Sequence, residues 1–91
     1  MSNYDALQAL LALYDDMRRD LLFKVADLAE EGQAMYTPET ALEMVFSFQL
    51  QHDGYVELVA LEEHPEFPDL AVRYAVKITD KGREYATETR G

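Results

Sequence analysis

The chain has no cysteine, and among its 91 residues there are only four glycines, three prolines and eight Lys plus Arg. The missing thiols exclude a disulfide framework, a thiolate nucleophile and any zinc or iron–sulfur site held by cysteine. Scarce Gly and Pro, together with 48% hydrophobic and 11% aromatic residues, exclude a disordered or low-complexity chain. Against the eight cations stand eighteen Asp plus Glu, for a formal net charge of -10. Such a balance favours basic partners over phosphate-rich ones. The apolar stretch from Leu7 to Tyr14 is interrupted by Gln8 and ends at Asp15-Asp16, too short to cross a bilayer. No basic stretch precedes it as in a signal peptide, so the expectation is a cytoplasmic protein without membrane contact. The length allows one domain, 1–91. A chain this short buries only about 60% of its unfolded surface, so a second copy would add burial that a monomer lacks.

What the sequence does have is periodicity. From Tyr4 to Glu31 there is no Gly or Pro, and Leu7, Leu10, Leu11, Tyr14, Met17, Leu21, Leu22, Val25 and Leu28 recur at helical spacing. Residues 3–32 are therefore expected as a long helix, capped by Ser2 or Asn3 and closed at Gly32. Tyr4, Leu7, Leu11, Tyr14, Arg18, Leu21, Val25 and Leu28 alternate steps of three and four, as a coiled-coil seam does, with Arg18 as a cation in the seam. A straight helix of that length is about 42 Å long, whereas a compact domain of this size is about 30 Å across. Either the helix breaks near Arg18-Arg19-Asp20 into a folded-back hairpin, or its first half projects and meets another chain. The projecting arrangement is preferred, because Leu7, Leu10, Leu11 and Tyr14 form too rich a stripe to stay wet.

After a short extended piece around Gln33 to Tyr36, Thr37-Pro38-Glu39-Thr40 reads as the start of a central helix over 37–53, ending at Asp53-Gly54. That helix is apolar on more than one side, with Leu42, Met44, Val45, Phe46, Phe48 and Leu50, so it must be sandwiched. Tyr55 to Glu62 reads as a strand. Leu70, Val72, Tyr74, Val76 and Ile78 alternate along a second, giving a β-hairpin over 55–78. A short helix over 79–88 closes the chain, with Tyr85 folding back on the sheet. The fold class is α+β.

Two motifs within this order resemble the winged-helix family. Gly54-Tyr55-Val56 matches the step at which such domains leave the recognition helix and enter the wing. Ile78-Thr79-Asp80-Lys81-Gly82-Arg83-Glu84-Tyr85 matches the segment that closes the wing and opens the next helix. The likeness spans most of the chain and is similar to that of small phage-encoded and prophage-encoded winged-helix proteins. One helix stands where a full helix-turn-helix has two, so the domain looks truncated.

Winged helices that read DNA carry Lys or Arg on the recognition helix and wing, to replace the counterions released from phosphates. Here the central helix has Glu39 and Glu43 and no Lys or Arg, and Glu62, Glu63, Glu66 and Asp69 crowd the wing tip. The expectation is a small regulatory or inhibitory protein that works by protein contacts as a homodimer. Its partner would be a protein with a basic surface, met by the wing residues Glu63, Glu66, Phe67 and Asp69. The acidity would also suit a DNA mimic, although an acidic solvated surface is the plainer reading. Phe67 between two prolines is either an anchor for a partner pocket or a side chain folded onto its own strand. The alternative is a dimeric winged-helix transcription regulator contacting DNA through Arg73, Lys77, Lys81 and Arg83. A third reading docks the Leu7 to Tyr14 stripe on a different protein in a larger assembly.

No catalytic, cofactor or metal site is expected. His52 and His64 lie at opposite ends of the first strand, the glycines are isolated, and Ser2 and Ser47 have no nucleophile context. The chain is read as a non-enzyme.

Overall fold

The structure, a computed structural model, describes residues 3–61 and 74–90. The residues from Tyr4 to Glu30, free of helix breakers, form one unbroken helix, α1 (Asn3–Glu30), with no kink at Arg18. That cation instead joins two elements: Arg18 Nη2 donates to Asp15 Oδ1 at 2.7 Å and Nη1 to Gln49 Oε1 at 3.1 Å. Gly32 closes the helix at φ +97°. The Gly32 amide donates to the Ala29 carbonyl at 3.2 Å and the Gln33 amide to that of Leu28 at 2.8 Å, which satisfies two of the orphan carbonyls at this end.

The central helix, α2 (Ala41–His52), is shorter than the expected 37–53. Thr40, in extended conformation, is its N-cap, accepting from the Glu43 amide at 3.0 Å. Glu43 Oε1 reaches back to the Glu39 amide at 2.8 Å. This reciprocal cap fixes the first turn at Ala41 rather than at Thr37. Upstream, Tyr36 exchanges both backbone hydrogen bonds with Val76, at 2.9 and 2.7 Å. Gly54, at φ +85°, ends α2 as Gly32 ends α1, with the Tyr55 amide bonded to the Leu50 carbonyl at 3.0 Å.

The strands β1 (Val56–Ala60) and β2 (Tyr74–Ile78) pair antiparallel with Val56 opposite Ile78 and Leu58 opposite Val76. Tyr36 bridges β2 on its other side. Ala75, paired with Val59, is buried although the alternation places it opposite the core face. The last helix, α3 (Asp80–Arg90), runs past the expected residue 88. Its end is held by Arg90, which grips both carboxylate oxygens of Asp27, Nη2 to Oδ2 at 3.0 Å, and lies over the Phe23 ring.

The core gathers Leu21, Leu22, Val25 and Ala26 of α1, Tyr36, Phe46 and Leu50, the sheet residues Val56, Val76 and Ile78, and Ala86 of α3. All the buried residues of α1 thus fall in its second half. The first half stands clear of the globule. The molecule measures 51 × 33 × 19 Å with a radius of gyration of 15.2 Å, against about 12 Å for a compact chain of this length. No helix among the described residues is long and apolar enough to cross a membrane.

Candidate interaction site

Residues 3 to 16 are exposed throughout, yet they carry the richest run of large apolar side chains in the protein. Tyr4, Leu7, Leu10, Leu11, Leu13 and Tyr14 are between 39% and 67% exposed. Between Asn3 and Tyr14 the sole charged residue is Asp5. At 3.6 residues per turn these six side chains spread over about half of the helix circumference, wider than a two-helix seam requires. Tyr4, Leu7, Leu11 and Tyr14 continue the line of the core residues Leu21 and Val25. Leu10 and Leu13 continue a different line, through Met17.

That second line leads into a groove between α1 and α2. It has a volume of about 550 Å³ and is lined by the apolar Met17, Leu21, Leu42 and Phe46, and by Asp20, Lys24, Glu39, Thr40 and Glu43. Tyr14 borders it, its ring edge-on to Phe46 at 6.1 Å between centroids. On the outward side of α2, Leu42, which also lines the groove, Val45 and Phe48 are 37% to 49% exposed. Phe48 leans on Tyr74 of β2 at 5.9 Å. The apolar character of α2 on a second side is therefore real, and among the described residues only Tyr74 packs on it, against Phe48.

A polar triad stands at the groove. Lys24 Nζ donates to Tyr36 Oη at 2.9 Å, and the Tyr36 hydroxyl donates to Glu43 Oε1 at 2.8 Å. Lys24 Nζ also lies 3.9 Å from Glu43 Oε2 and 4.5 Å from the Tyr36 ring centroid. The hydrogen bond to Tyr36 raises the lysine's pKa above its ordinary value, although partial burial opposes this. Burial is the main reason that the phenol's pKa is raised as well, with the Lys24 bond working against it. Each member has partners inside the chain, so the triad fastens α1, the extended piece and α2 together.

The two sequence motifs meet at the far side of the sheet. Thr79 Oγ1 donates to the Gly54 carbonyl at 2.7 Å and accepts from the Gly82 amide at 3.0 Å. The Thr79 amide bonds the Tyr55 carbonyl at 3.1 Å. Lys81 Nζ donates to the Asp53 carbonyl at 2.7 Å, at the C-terminus of α2, and sits 5.0 Å above the Tyr55 ring. Tyr85 stacks on Tyr55 with 4.6 Å between centroids. Both motifs are thus parts of one joint.

Of the residues expected to contact DNA, Lys81 is committed to this joint, Lys77 stands directly opposite Glu57 in the sheet, and Arg83 is exposed on α3. Arg73 lies outside the described residues, as do Glu63, Glu66, Phe67 and Asp69 of the wing. Leu7, Leu10, Leu11 and Tyr14 do share one exposed surface. Leu13 is exposed beside them on α1, and Leu42, Val45 and Phe48 are exposed on α2. The signal for the α2 residues was present in that helix's excess of apolar positions; Leu13 is set apart only by its angle on the helix. Among the described residues no group of three or more His, Asp or Glu could hold a metal ion. Compared with models of known protein families, with curated proteins and with solved structures, the chain matches none of them.

Proposed function

We propose that this chain is a winged-helix-like, non-enzymatic protein that acts by protein contacts, as a homodimer joined through Leu7, Leu10, Leu11 and Tyr14 of α1. The observation that carries this reading is the outward side of α2. In the winged-helix order this is the helix that would face DNA, and it offers Leu42, Val45 and Phe48 in place of Lys or Arg. An apolar surface cannot replace phosphate counterions, but it does gain from being covered by another apolar surface. The order of elements supports the winged-helix likeness, including the Tyr36 bridge to β2 and the joint between Gly54-Tyr55 and Thr79 to Gly82.

Sedimentation equilibrium of the wild type and of the variant carrying Leu11→Asn and Tyr14→Asn, each with and without duplex DNA, tests the reading. The wild type is expected to be a dimer that ignores DNA, and the variant a folded monomer, its dissociation constant raised by about 100-fold or more on losing two apolar contacts. A wild-type monomer, a dimer that survives both substitutions, or DNA binding that weakens steeply with salt would each overturn it.

A further inference from the structure

We infer that, in a two-fold dimer, the first half of each chain's α1 lies in the α1–α2 groove of the second copy, against Met17 and Leu42, and reaches the exposed Val45 one turn further along α2. This rests on the dimer reading above and specifies how the two copies meet. Three observations lead to it.

The first is the width of the apolar surface on α1. Tyr4, Leu7, Leu11 and Tyr14 alone would suit a simple two-helix seam, but Leu10 and Leu13 face about a quarter-turn or more away. A helix apolar over half its circumference needs cover from more than one element. The groove offers two, since α1 and α2 both border it.

The second is area. Taking ~200 Å² per large apolar side chain, the six exposed residues of α1 supply about 600 Å² per chain, short of the ~800 Å² that a partner contributes to a standard interface. Adding Leu42 and Val45 supplies about 170 Å² more and closes most of the gap. An interface made by α1 alone would also leave that α2 surface wet.

The third is charge. The groove is bordered by Asp20, Glu39 and Glu43 with Lys24 as the one cation. A strongly acidic segment would be repelled there. From Ala6 to Tyr14 the entering helix has no charge at all, so it can be seated without a like-charge penalty. An antiparallel approach about a two-fold axis lets each copy donate its helix and receive the other's, which makes the contact self-complementary and closed.

The absence of cysteine allows single thiols to be placed at will. Chains carrying Leu7→Cys are mixed with chains carrying Leu42→Cys and treated with a short bismaleimide, with Glu84→Cys on the exposed side of α3 as the control acceptor. The expected result is a mixed Leu7→Cys/Leu42→Cys covalent dimer formed at least about tenfold faster than the control product, because docking holds the two thiols at an effective concentration near millimolar. Val45→Lys is the second variant. It places an ammonium in the docking surface at an exposed position that folding does not use, and is expected to weaken the dimer by about tenfold or more while circular dichroism stays unchanged. A dimer by sedimentation whose mixed cross-link stays at the control rate, or whose constant ignores Val45→Lys, overturns the groove docking and leaves the dimer reading standing. A monomer overturns both and assigns the surface to a different protein.

Discussion

Tyr36 is the residue on which most depends within the chain. Its ring is buried, its backbone pairs with Val76, and its hydroxyl links Lys24 of α1 to Glu43 of α2. Replacing it by Phe keeps the ring but leaves Lys24 and Glu43 without the group between them. The expected cost is about 1 kcal/mol near neutral pH, the usual net worth of such hydrogen bonds, read from the urea midpoint. The pH dependence follows from the raised pKa values of both groups. A group whose folded value exceeds its unfolded value stabilises the fold fully below the unfolded value and loses that contribution as the pH rises through the folded one. For Tyr36 and Lys24 the ordinary values are 10.0 and 10.5, so stability is expected to fall from about pH 10 upward. In Tyr36→Phe that alkaline fall should be shallower. Equal slopes in the two proteins would show that the triad does not set it.

Among the elements, α3 is the one most tightly specified by a single position. Gly82 lies where α3 crosses the start of β1, and a Cβ there would come within 2.1 Å of the Tyr55 carbonyl oxygen and 2.9 Å of Ile78 Cγ1. In a helix, Gly→Ala ordinarily gains about 1 kcal/mol of propensity. Here the nearest atom is backbone and cannot step aside, so strain of about 3 kcal/mol outweighs the gain. Gly82→Ala is thus expected to lower the melting temperature by about 10 °C or more for a domain of this size. A melting temperature that rises would mean that α3 does not dock as described. The other two helices are ended in a different way, by Gly32 and Gly54 in the left-handed region, where no clash is involved and the backbone angle itself selects glycine.

At the scale of the molecule, the governing fact is that charge and apolar surface are segregated. A chain of net charge -10 keeps a nearly uncharged helical arm outside its own globule. In the proposed dimer, like charge opposes the approach of two such chains, while the contact between them is apolar. Raising the salt from about 0.01 M to about 0.1 M shortens the screening length from about 30 Å to about 10 Å and should therefore tighten the dimer, by several-fold in its dissociation constant. Contact with DNA would respond in the opposite direction, since counterion release is worth less as salt rises. A dimer that loosens with salt would mean that ion pairs hold it together, contrary to the uncharged stripe from Ala6 to Tyr14.

Local signals in the sequence determined the α+β class, with three helices and a two-strand hairpin, and the two glycine stops; the expected outer ends of the strands, at Glu62 and Leu70, lie outside the described residues. Helical spacing, alternation and the need for a positive φ act over one or two turns and are therefore written in neighbouring residues. The stripe Leu7, Leu10, Leu11 and Tyr14 was legible for the same reason. Other features depend on residues far apart in the chain. That Arg18 of α1 meets Gln49, 31 residues away, and that Tyr36 pairs with Val76 is not written in neighbouring residues. The meeting of Gly54-Tyr55 with Thr79 to Gly82, and the opening of a groove between Met17 and Leu42, likewise exist only once packing has fixed the distances. Spacing reveals that a side chain is apolar and on which face it lies; only the tertiary structure decides whether the chain's own core covers it or leaves it for another surface.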